Sequence, residues 1–357
     1  MGTLRLICTT AVMGQAAGTV AALALARKTR PIDLVKTDFK AVETALLKND
    51  QRIVGRRLLL ENDLAKKAAL TVSSENPGSA ENGESFRYAD KSTGVIIPCK
   101  KLDELELLLS SDDEVDITVD IYLNDDNEIN YRPTGLFKSL GVRVGDKKWY
   151  KLPVGLKNAK GGKVFAVIRR MPPVRVYGEK ESYAGFTSFT FSGDELKYDT
   201  FFEVINSDYQ TPFTVCCRYS ERGENYAKEN LTNGYIAPHA APNVWVSREL
   251  GGDGEYLEFD FKKVEKFNEI ELVFNTGLNM KTFNNPSMSR VPPETVKSYR
   301  IYTVIGGQET LYYRDRGNYK RFVRIAKSAS AEKVRISFDQ THGSRYAQVY
   351  DVRIISD

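Results

Sequence analysis

The chain has 357 residues, 41% of them hydrophobic and 27% charged, which is an ordinary composition for two or three globular domains. Its 19 Tyr and 17 Phe residues favour β structure. The net charge of +4 is too small to indicate a nucleic-acid-binding protein. With only 2 His residues, His-based metal sites and His-relay catalysis are also poorly supported.

Charged residues are unevenly distributed along the chain. Residues 1–67 contain 12 Lys/Arg against 6 Asp/Glu, whereas the remainder contains 39 against 41. An anion-binding surface would explain this bias, although solvated helix faces are the commoner cause.

The four cysteines, Cys8, Cys99, Cys216 and Cys217, lack metal-ligand spacing. Adjacent strand residues point to opposite faces, so Cys216 and Cys217 are expected to be two separately buried thiols.

The opening segment has two interpretations. No charged residue occurs between Leu6 and Ala26, and Ala24-Leu25-Ala26 is compatible with cleavage of residues 1–26 as a signal peptide. However, Thr, Gly and Gln residues interrupt the run where the hydrophobic region of a signal peptide should be continuous. The composition of the segment therefore supports a folded helix as well as a signal peptide. Ala, Gly and Thr contribute little to membrane insertion, so we expect no membrane span.

The residues that follow favour the folded helix. Pro31–Leu34 predicts a turn or a short helix, and Thr37 or Asp38 can cap a second helix over 39–47. Its apolar face would contain Phe39, Val42 and Leu46. A small-residue helix, a Pro turn and an amphipathic helix together indicate part of a folded domain.

A resemblance rests on these residues. The run from Cys8 to Ala24, with the sequence CxxAVMGQAAGTxAALA, and the PxxL that begins at Pro31 resemble the C-terminal end of the flavin-binding domain in a family of bacterial FAD-dependent oxidoreductases. In that family the Gly-Gln-Ala-Ala-Gly-Thr helix closes the cofactor site. The resemblance implies that the residues nearest the flavin are Met13, Gly14, Gln15 and Gly18.

The chain departs from that family in one respect. It contains no Gly-x-Gly-x-x-Gly unit between a strand and a helix, which a dinucleotide site needs for the pyrophosphate. The nearest glycine cluster, Gly251–Gly254, predicts a turn. FAD binding is therefore expected only if the missing half is supplied as a further domain or a second subunit. No residue is identified as a catalytic acid or base, and the chain alone would not be a complete enzyme.

From residue 68 onward short strands alternate with turns. A first antiparallel sandwich is predicted over 68–200, and its clearest strand is Val115–Leu123, which alternates acidic, Thr or Tyr residues with Val, Ile or Leu. Asn124–Glu128 follows as a hairpin turn; it lacks the Gly and terminal Glu of a helix-loop-helix calcium site.

A second sandwich is predicted over 201–357. Its motifs are Ala-x-Glu-Asn-x-x-Asn-Gly from Ala227, Trp-x-Ser from Trp245 and Leu-x-Phe-Asp-Phe from Leu257. They resemble the discoidin-type, galactose-binding-like jelly roll, which implies carbohydrate as a possible ligand class. Trp245 is expected in the core rather than stacked on a sugar. Asn230 and Asn233 are expected to shape a turn.

Ligand contacts are predicted on two loops of this second unit. His239 lies on the rigid loop Pro238-His239-Ala240-Ala241-Pro242, and the long 276–293 loop offers Phe283, Asn284 and Arg290. None of these residues forms a decisive motif.

The expected fold is therefore mainly β: a short helical segment over 1–67, followed by two antiparallel, jelly-roll-like β-sandwiches. The leading hypothesis is the C-terminal portion of an FAD-dependent oxidoreductase with accessory sandwiches. The alternative is a secreted carbohydrate-binding or interaction protein with residues 1–26 as its signal peptide. A third possibility is that the sandwiches only pack against the enzyme or a neighbouring subunit. A bacterial cytoplasmic and an exported location both stay open.

Overall fold

The structure is a computed structural model, and it describes residues 7–125, 132–193, 195–197, 213–220, 225–252, 254–277 and 291–356. The described chain is mostly antiparallel β structure preceded by three helices, as expected. The helices are α1 (Ile7–Ala26), α2 (Pro31–Thr37) and α3 (Phe39–Lys48).

The three helices share a small apolar core. Pro31 occupies the first turn of α2, where a missing N–H costs nothing. The Asp38 carboxylate caps α3 by accepting a hydrogen bond from the Ala41 N–H at 3.1 Å. The residues buried between the helices are Ala24, Leu34, Val42 and Leu46. Phe39, expected on the same face as Val42 and Leu46, is instead 55% exposed.

The C-terminal sandwich is built from one seven-stranded sheet that folds over on itself. Its strands are β1 (Ala69–Val72), β13 (Trp245–Glu249), β14 (Glu255–Phe274), β15 (Val296–Ile305), β16 (Gln308–Asp315), β17 (Phe322–Thr341) and β18 (Tyr346–Ile355). The order is β13-β18-β14-β17-β15-β16, with β1 paired to β14.

The two 20-residue strands, β14 and β17, connect the two layers of this sandwich. Their register breaks between Asp260 and Glu265, where Lys262 has a positive φ of 66°. The first half of β14 pairs with β1 and the second half pairs with β18. Apolar side chains of both halves face one core, which includes Leu257, Phe259 and Leu272.

The position of β1 differs from the predicted domain boundaries. Residues 69–72, expected in the first sandwich, pair antiparallel with residues 257–260 of β14 in the second sandwich. Asp63 also forms a bridge with Ile355, and the Trp245 indole N–H donates to the Ser74 carbonyl at 3.1 Å. The chain thus enters the C-terminal sandwich, leaves it, and returns after the other sandwich is complete.

The inserted sandwich consists of two antiparallel sheets. Its strands are β2 (Ser85–Ala89), β3 (Ser92–Pro98), β4 (Leu102–Ser110), β5 (Val115–Asn124), β6 (Pro133–Val144), β7 (Lys148–Leu156), β8 (Lys163–Ile168), β9 (Met171–Glu179), β10 (Thr187–Phe191), β11 (Thr214–Val215) and β12 (Cys217–Tyr219). One sheet has the order β10-β3-β8-β5-β6; the other has β11-β9-β4-β12, with β2 on β9 and β7 on β4. The structure therefore places β11 and β12 in this sandwich, beyond the boundary expected at residue 200.

The predicted strand Val115–Leu123 is present as part of β5, and both its faces contain buried residues. Ile117, Val119 and Ile121 face the main core of the inserted sandwich. On the opposite face Tyr122 packs in a smaller cluster with aromatic residues of β8 and β10, and Asp120 is fully buried. Asp120 is neutralised by Arg169 at 2.7 Å.

Two expectations about buried side chains are confirmed. Trp245 is fully buried and packs on Phe338, with the ring centroids 5.7 Å apart. Cys216 and Cys217 are buried free thiols. Burial raises the pKa of Cys216 to about 12, so it is a neutral packing residue at physiological pH.

The two sandwiches share an interface with apolar and charged parts. Val246, Val273 and Tyr350 of the C-terminal sandwich pack into the core of the inserted one. Beside them lies the Arg345 cluster, in which the Arg345 guanidinium contacts three carboxylates of the inserted sandwich: Glu84, Glu179 at 2.9 Å and Glu181 at 3.4 Å.

The helical segment is joined to the C-terminal sandwich through the residues after α3. Arg324 donates to the Lys48 carbonyl at 2.9 Å, and Arg321 pairs with Asp50 at 3.0 Å. The Leu58 N–H donates to the Gly234 carbonyl at 2.9 Å. Gly234 has a φ of 83°, and a Cβ there would lie 2.3 Å from the Leu58 carbonyl oxygen, so glycine is required.

Candidate functional site

The residues predicted to lie nearest a flavin form an open surface of α1. Met13 is 52% exposed, and a Cβ added at Gly14 or Gly18 would meet nothing within 4 Å among the described residues. The Gln15 amide donates to the Asn49 carbonyl at 3.2 Å, which ties α1 to the end of α3. Among the residues of α1 whose side chains are described, only Ala24 is buried. The structure thus brings these four residues together on one helix, with space above the two glycines.

In the part of the chain that the structure describes, α1 is also the one helix long and apolar enough to cross a membrane, over Thr9–Ala26. A signal sequence near an N-terminus and the helix of a folded domain meet the same criterion.

His239 lies elsewhere, on a loop that contacts the segment after α3. Its ring is 5.5 Å from the Tyr235 ring, and Arg52 donates to the neighbouring Pro238 carbonyl at 2.8 Å. A Cβ added at Gly55 would lie 3.9 Å from the imidazole. His239 and Ala241 exchange backbone hydrogen bonds of 3.0 and 2.6 Å, which fixes a tight turn. Phe283, Asn284 and Arg290 lie outside the described residues, so their predicted role stays a prediction.

The same loop forms one wall of a cleft between the two sandwiches. The cleft has a volume of about 180 Å³, and it is lined by Pro98, Cys99, Lys100, Asn225, Asn230, Ala240, Ala241 and Asn243. Lys100 is exposed, whereas Cys99, Asn225 and Asn243 are buried. Three Asn residues and Lys100 therefore line an open cleft to which both sandwiches contribute.

Hydrogen bonds from the Asn side-chain amides to backbone carbonyls hold this cleft in one shape. Asn225 donates to the Pro98 carbonyl at 3.1 Å and so links the C-terminal sandwich to the end of β3. Asn230 donates to the Asn225 and Val244 carbonyls at 3.0 and 3.1 Å. Asn243 donates to the His239 and Ala241 carbonyls at 2.9 and 3.1 Å.

Backbone geometry adds to this rigidity. Ala240 and Asn243 both have positive φ, 55° and 53°, and the side-chain bonds of Asn243 maintain the unusual turn. Gly162 has a φ of 67°, and a Cβ there would lie 2.2 Å from the Ala240 carbonyl oxygen. The inserted sandwich therefore fits closely against the loop, and the wall of the cleft is pre-formed.

Sequence reasoning missed this cleft but correctly described one of its components. Asn230 and Asn233 were expected to shape a turn, and Asn233 does accept a hydrogen bond from the Tyr235 N–H at 2.8 Å. Pro98 and Asn225, however, are 127 positions apart in different predicted domains. The four Asn residues within the 225–243 segment are the available signal.

The cleft has the chemistry of a binding site. Amide oxygens and backbone carbonyls accept hydrogen bonds, and Lys100 donates them. Among the described residues no group of three His, Cys, Asp or Glu side chains could hold a metal ion. A hydroxylated ligand matches the donors and acceptors that are present.

No protein-family model matches the chain, and no curated protein matches its sequence. Several solved structures are similar to part of it. One is the family 32 carbohydrate-binding module of Streptococcus pneumoniae EndoD, with 16% identity, a TM-score of 0.30, and coverage of 37% of this chain and 87% of that one. Another is the family 32 module of C. perfringens NanJ in complex with galactose, with 17% identity, a TM-score of 0.27, and coverage of 36% and 85%.

A third is a family 32 module of Clostridium perfringens in complex with GalNAc-β-1,3-galactose, with 10% identity, a TM-score of 0.29, and coverage of 39% and 89%. At these identities the likeness concerns the fold alone. The C-terminal unit is an antiparallel sandwich by its own strand order and register.

Proposed function

We propose that this chain is a carbohydrate-binding protein and that the cleft between its two sandwiches holds a sugar ring. The observation that supports this proposal is the convergence of three Asn residues and Lys100 on a rigid, polar, concave surface. Concave sites with a few fixed polar groups are the usual form of small-molecule sites.

The hydrogen-bonding capacity of the cleft suits a polyhydroxylated ligand. The Asn amide nitrogens are occupied in holding the loop. The side-chain oxygens of Asn230 and Asn243 each accept one hydrogen bond from Asn233, and an amide oxygen can accept two. The oxygens can thus accept from sugar hydroxyls while Lys100 donates to one. Since the amide network already orders these groups, little conformational entropy is lost when the ligand binds.

Calorimetric titration tests this proposal. The probes are galactose, GalNAc-β-1,3-galactose, chitotriose and unsaturated mannuronic acid, which are named as ligands in structures similar to part of this chain. We expect at least one to bind, and Ala241→Trp, which fills the cleft, to reduce the affinity at least about tenfold. Ala326→Trp, at an exposed position of β17 outside the cleft lining, is the matched control and should leave the affinity unchanged. Absence of heat with all four sugars, or full affinity in Ala241→Trp, would disprove the proposal.

Carbohydrate recognition outside the cell would agree with the exported location and with residues 1–26 as a leader. Mass spectrometry of the exported protein tests this part of the proposal. A mature N-terminus at Arg27 supports the leader, whereas retention of Gly14 to Gly18 contradicts it.

The open surface of α1 favours a second candidate, the C-terminal part of an FAD-dependent oxidoreductase. Gly14 and Gly18 leave space for a flat group or a backbone, and Met13 and Gln15 flank that space. These residues fit one wall of a flavin site only, because the chain contains no Gly-x-Gly-x-x-Gly loop for the pyrophosphate. When bound, FAD would supply the redox chemistry; α1 would position and cover one side of it.

A visible spectrum separates this candidate from the first. The chain alone with added FAD should show no stoichiometric flavin band. Co-expression with a Gly-x-Gly-x-x-Gly unit encoded directly upstream should produce one, and Gly18→Leu should abolish it by filling the space above the helix. A chain that forms no flavin band in either arrangement is not part of a flavoenzyme.

A further inference from the structure

Half-exposed aromatic side chains cluster on the inserted sandwich, away from the cleft residues. Phe86 and Tyr88 are two positions apart on β2 and therefore project from the same face of the strand. In the register with β9, Phe86 lies opposite Tyr177 and Tyr88 lies opposite Arg175. We call this set of four side chains the aromatic platform.

The rings of the platform form a corner. The Phe86 and Tyr88 centroids are 5.5 Å apart with an interplanar angle of 88°, and the Phe86 and Tyr177 centroids are 5.7 Å apart. Phe86 is 45% exposed and Tyr88 is 47% exposed. Solvent thus reaches two adjoining aromatic surfaces that are nearly perpendicular.

Charged groups border these rings and fix their arrangement. The Arg175 guanidinium lies 5.6 Å from the Phe86 centroid and 5.5 Å from the Tyr88 centroid. Asp112 accepts two hydrogen bonds from Arg175, at 2.8 and 2.6 Å. Lys147 lies 4.2 Å above the Tyr177 ring. Asp112 neutralises Arg175, so this pair offers hydrogen bonds without a net charge, and the Lys147 ammonium is the cation at the Tyr177 side of the platform.

Cross-strand packing alone would account for part of this arrangement, because aromatic pairs stabilise neighbouring strands by roughly 0.2–1 kcal/mol. It does not account for leaving about half of two large rings in water beside an ordered ion pair. An amphipathic ligand satisfies both halves of the surface. The C–H face of a pyranose ring packs on an aromatic ring, while its hydroxyls reach Arg175, Asp112 and the Tyr88 hydroxyl.

We propose that the aromatic platform is a second carbohydrate-binding surface, which takes a chain of neutral pyranose rings on the aromatic faces and the Arg175–Asp112 pair. An acidic sugar would have to compete with Asp112 for the Arg175 guanidinium, whereas the hydroxyls of a neutral ring can bond the pair as it stands. The platform and the cleft share no residue, so the two proposals stand or fall separately.

Calorimetric titration of the full chain with cellohexaose, mannohexaose and xylohexaose tests the platform. We expect binding of at least one, and at least about tenfold weaker binding by the double variant Phe86→Leu/Tyr88→Leu, which keeps apolar volume but removes the ring faces. Tyr319→Leu, which removes a ring that is 66% exposed elsewhere on the chain, is the matched control and should leave the affinity unchanged. The exchange Phe86→Tyr/Tyr88→Phe retains both rings and should keep most of the affinity even if the leucine variant is poorly folded.

The outcomes separate the platform from the cleft. Hexasaccharide binding that survives in Ala241→Trp but is lost in the leucine double variant supports the platform. Binding that is lost in Ala241→Trp and kept in the double variant assigns these ligands to the cleft and overturns the platform. A wild-type chain that binds none of the three hexasaccharides also overturns it.

Discussion

Substitution of Arg345 by Ala is expected to weaken the contact between the two sandwiches. The guanidinium is 24% exposed, and it contacts Glu84, Glu179 and Glu181, whose side chains are 47%, 0% and 12% exposed. Glu179 is the sensitive partner, because it is fully buried. After the substitution it would keep the hydrogen bonds from the Glu81 and Asn82 N–H groups and from the Tyr183 hydroxyl, but would lose its cation.

The magnitude follows from the burial of the three carboxylates. Removing one partner of a fully buried ion pair costs about 3–5 kcal/mol, whereas exposed pairs contribute about 0–1 kcal/mol. Since one of the three carboxylates is fully buried and the guanidinium is partly solvated, we expect a loss of about 2–4 kcal/mol in the free energy of unfolding. Arg300→Ala breaks a pair with Asp339 in which the side chains are 30% and 32% exposed, and it should cost at most about 1 kcal/mol.

The loss should depend on pH. Burial raises the pKa of Glu181, and Arg345 opposes that rise. Without Arg345 the pKa of Glu181 rises further, so the carboxylate is costly when ionised and less so when protonated. The difference between wild type and Arg345→Ala should therefore be larger at about pH 8 than at about pH 5.

Urea unfolding followed by circular dichroism and by Trp fluorescence measures this difference at both pH values. A loss below about 1 kcal/mol, equal to that of Arg300→Ala, would show that the Arg345 cluster is a solvated contact and would refute the argument.

Three further predictions concern single sites. Trp245→Ala should destabilise the chain by about 3–5 kcal/mol, measured by urea unfolding, because it empties a fully buried site. Gly162→Ala should lower thermal stability and sugar affinity together, since its Cβ would collide with the Ala240 carbonyl. Burial raises the pKa of Asp351 to about 7. The free energy of unfolding should therefore fall as the pH rises from about 4 to about 7, and Asp351→Asn should flatten that decline in unfolding titrations.

Each of these has a contradicting result. Retention of wild-type stability in Trp245→Ala would mean that the indole does not hold the sandwich. Unchanged sugar affinity in Gly162→Ala would separate the loop from the cleft, and an unaltered pH profile in Asp351→Asn would show that Asp351 is ionised throughout.

Local patterns predicted the secondary structure well, because strand alternation is set by neighbouring residues. The alternation in 115–123, the burial of Trp245 and the Asp38 cap are all present in the structure. Phe39 has the right spacing for the buried face of α3, yet it is exposed because the short helix buries only Val42, Leu46 and Leu47.

Long-range arrangement was not accessible in the same way. Nothing within residues 69–72 specifies that their partner is β14, which follows more than 180 positions later. The cleft likewise combines the end of β3 with a loop of the other sandwich. Pairing between distant segments depends on the complete fold, whereas turn and strand preferences are local.

The return of the chain to its first sandwich has a consequence for synthesis. Asn62 and Asp63 are held by Ser356 and Ile354, nearly 300 positions away, and β1 pairs with a strand made after the inserted sandwich. During synthesis on a ribosome, all strands of the inserted sandwich are therefore made before β14, the strand with which β1 pairs. An interruption late in translation would leave an ordered inserted unit with an unpaired β1 edge, and such an edge is a template for association with other chains.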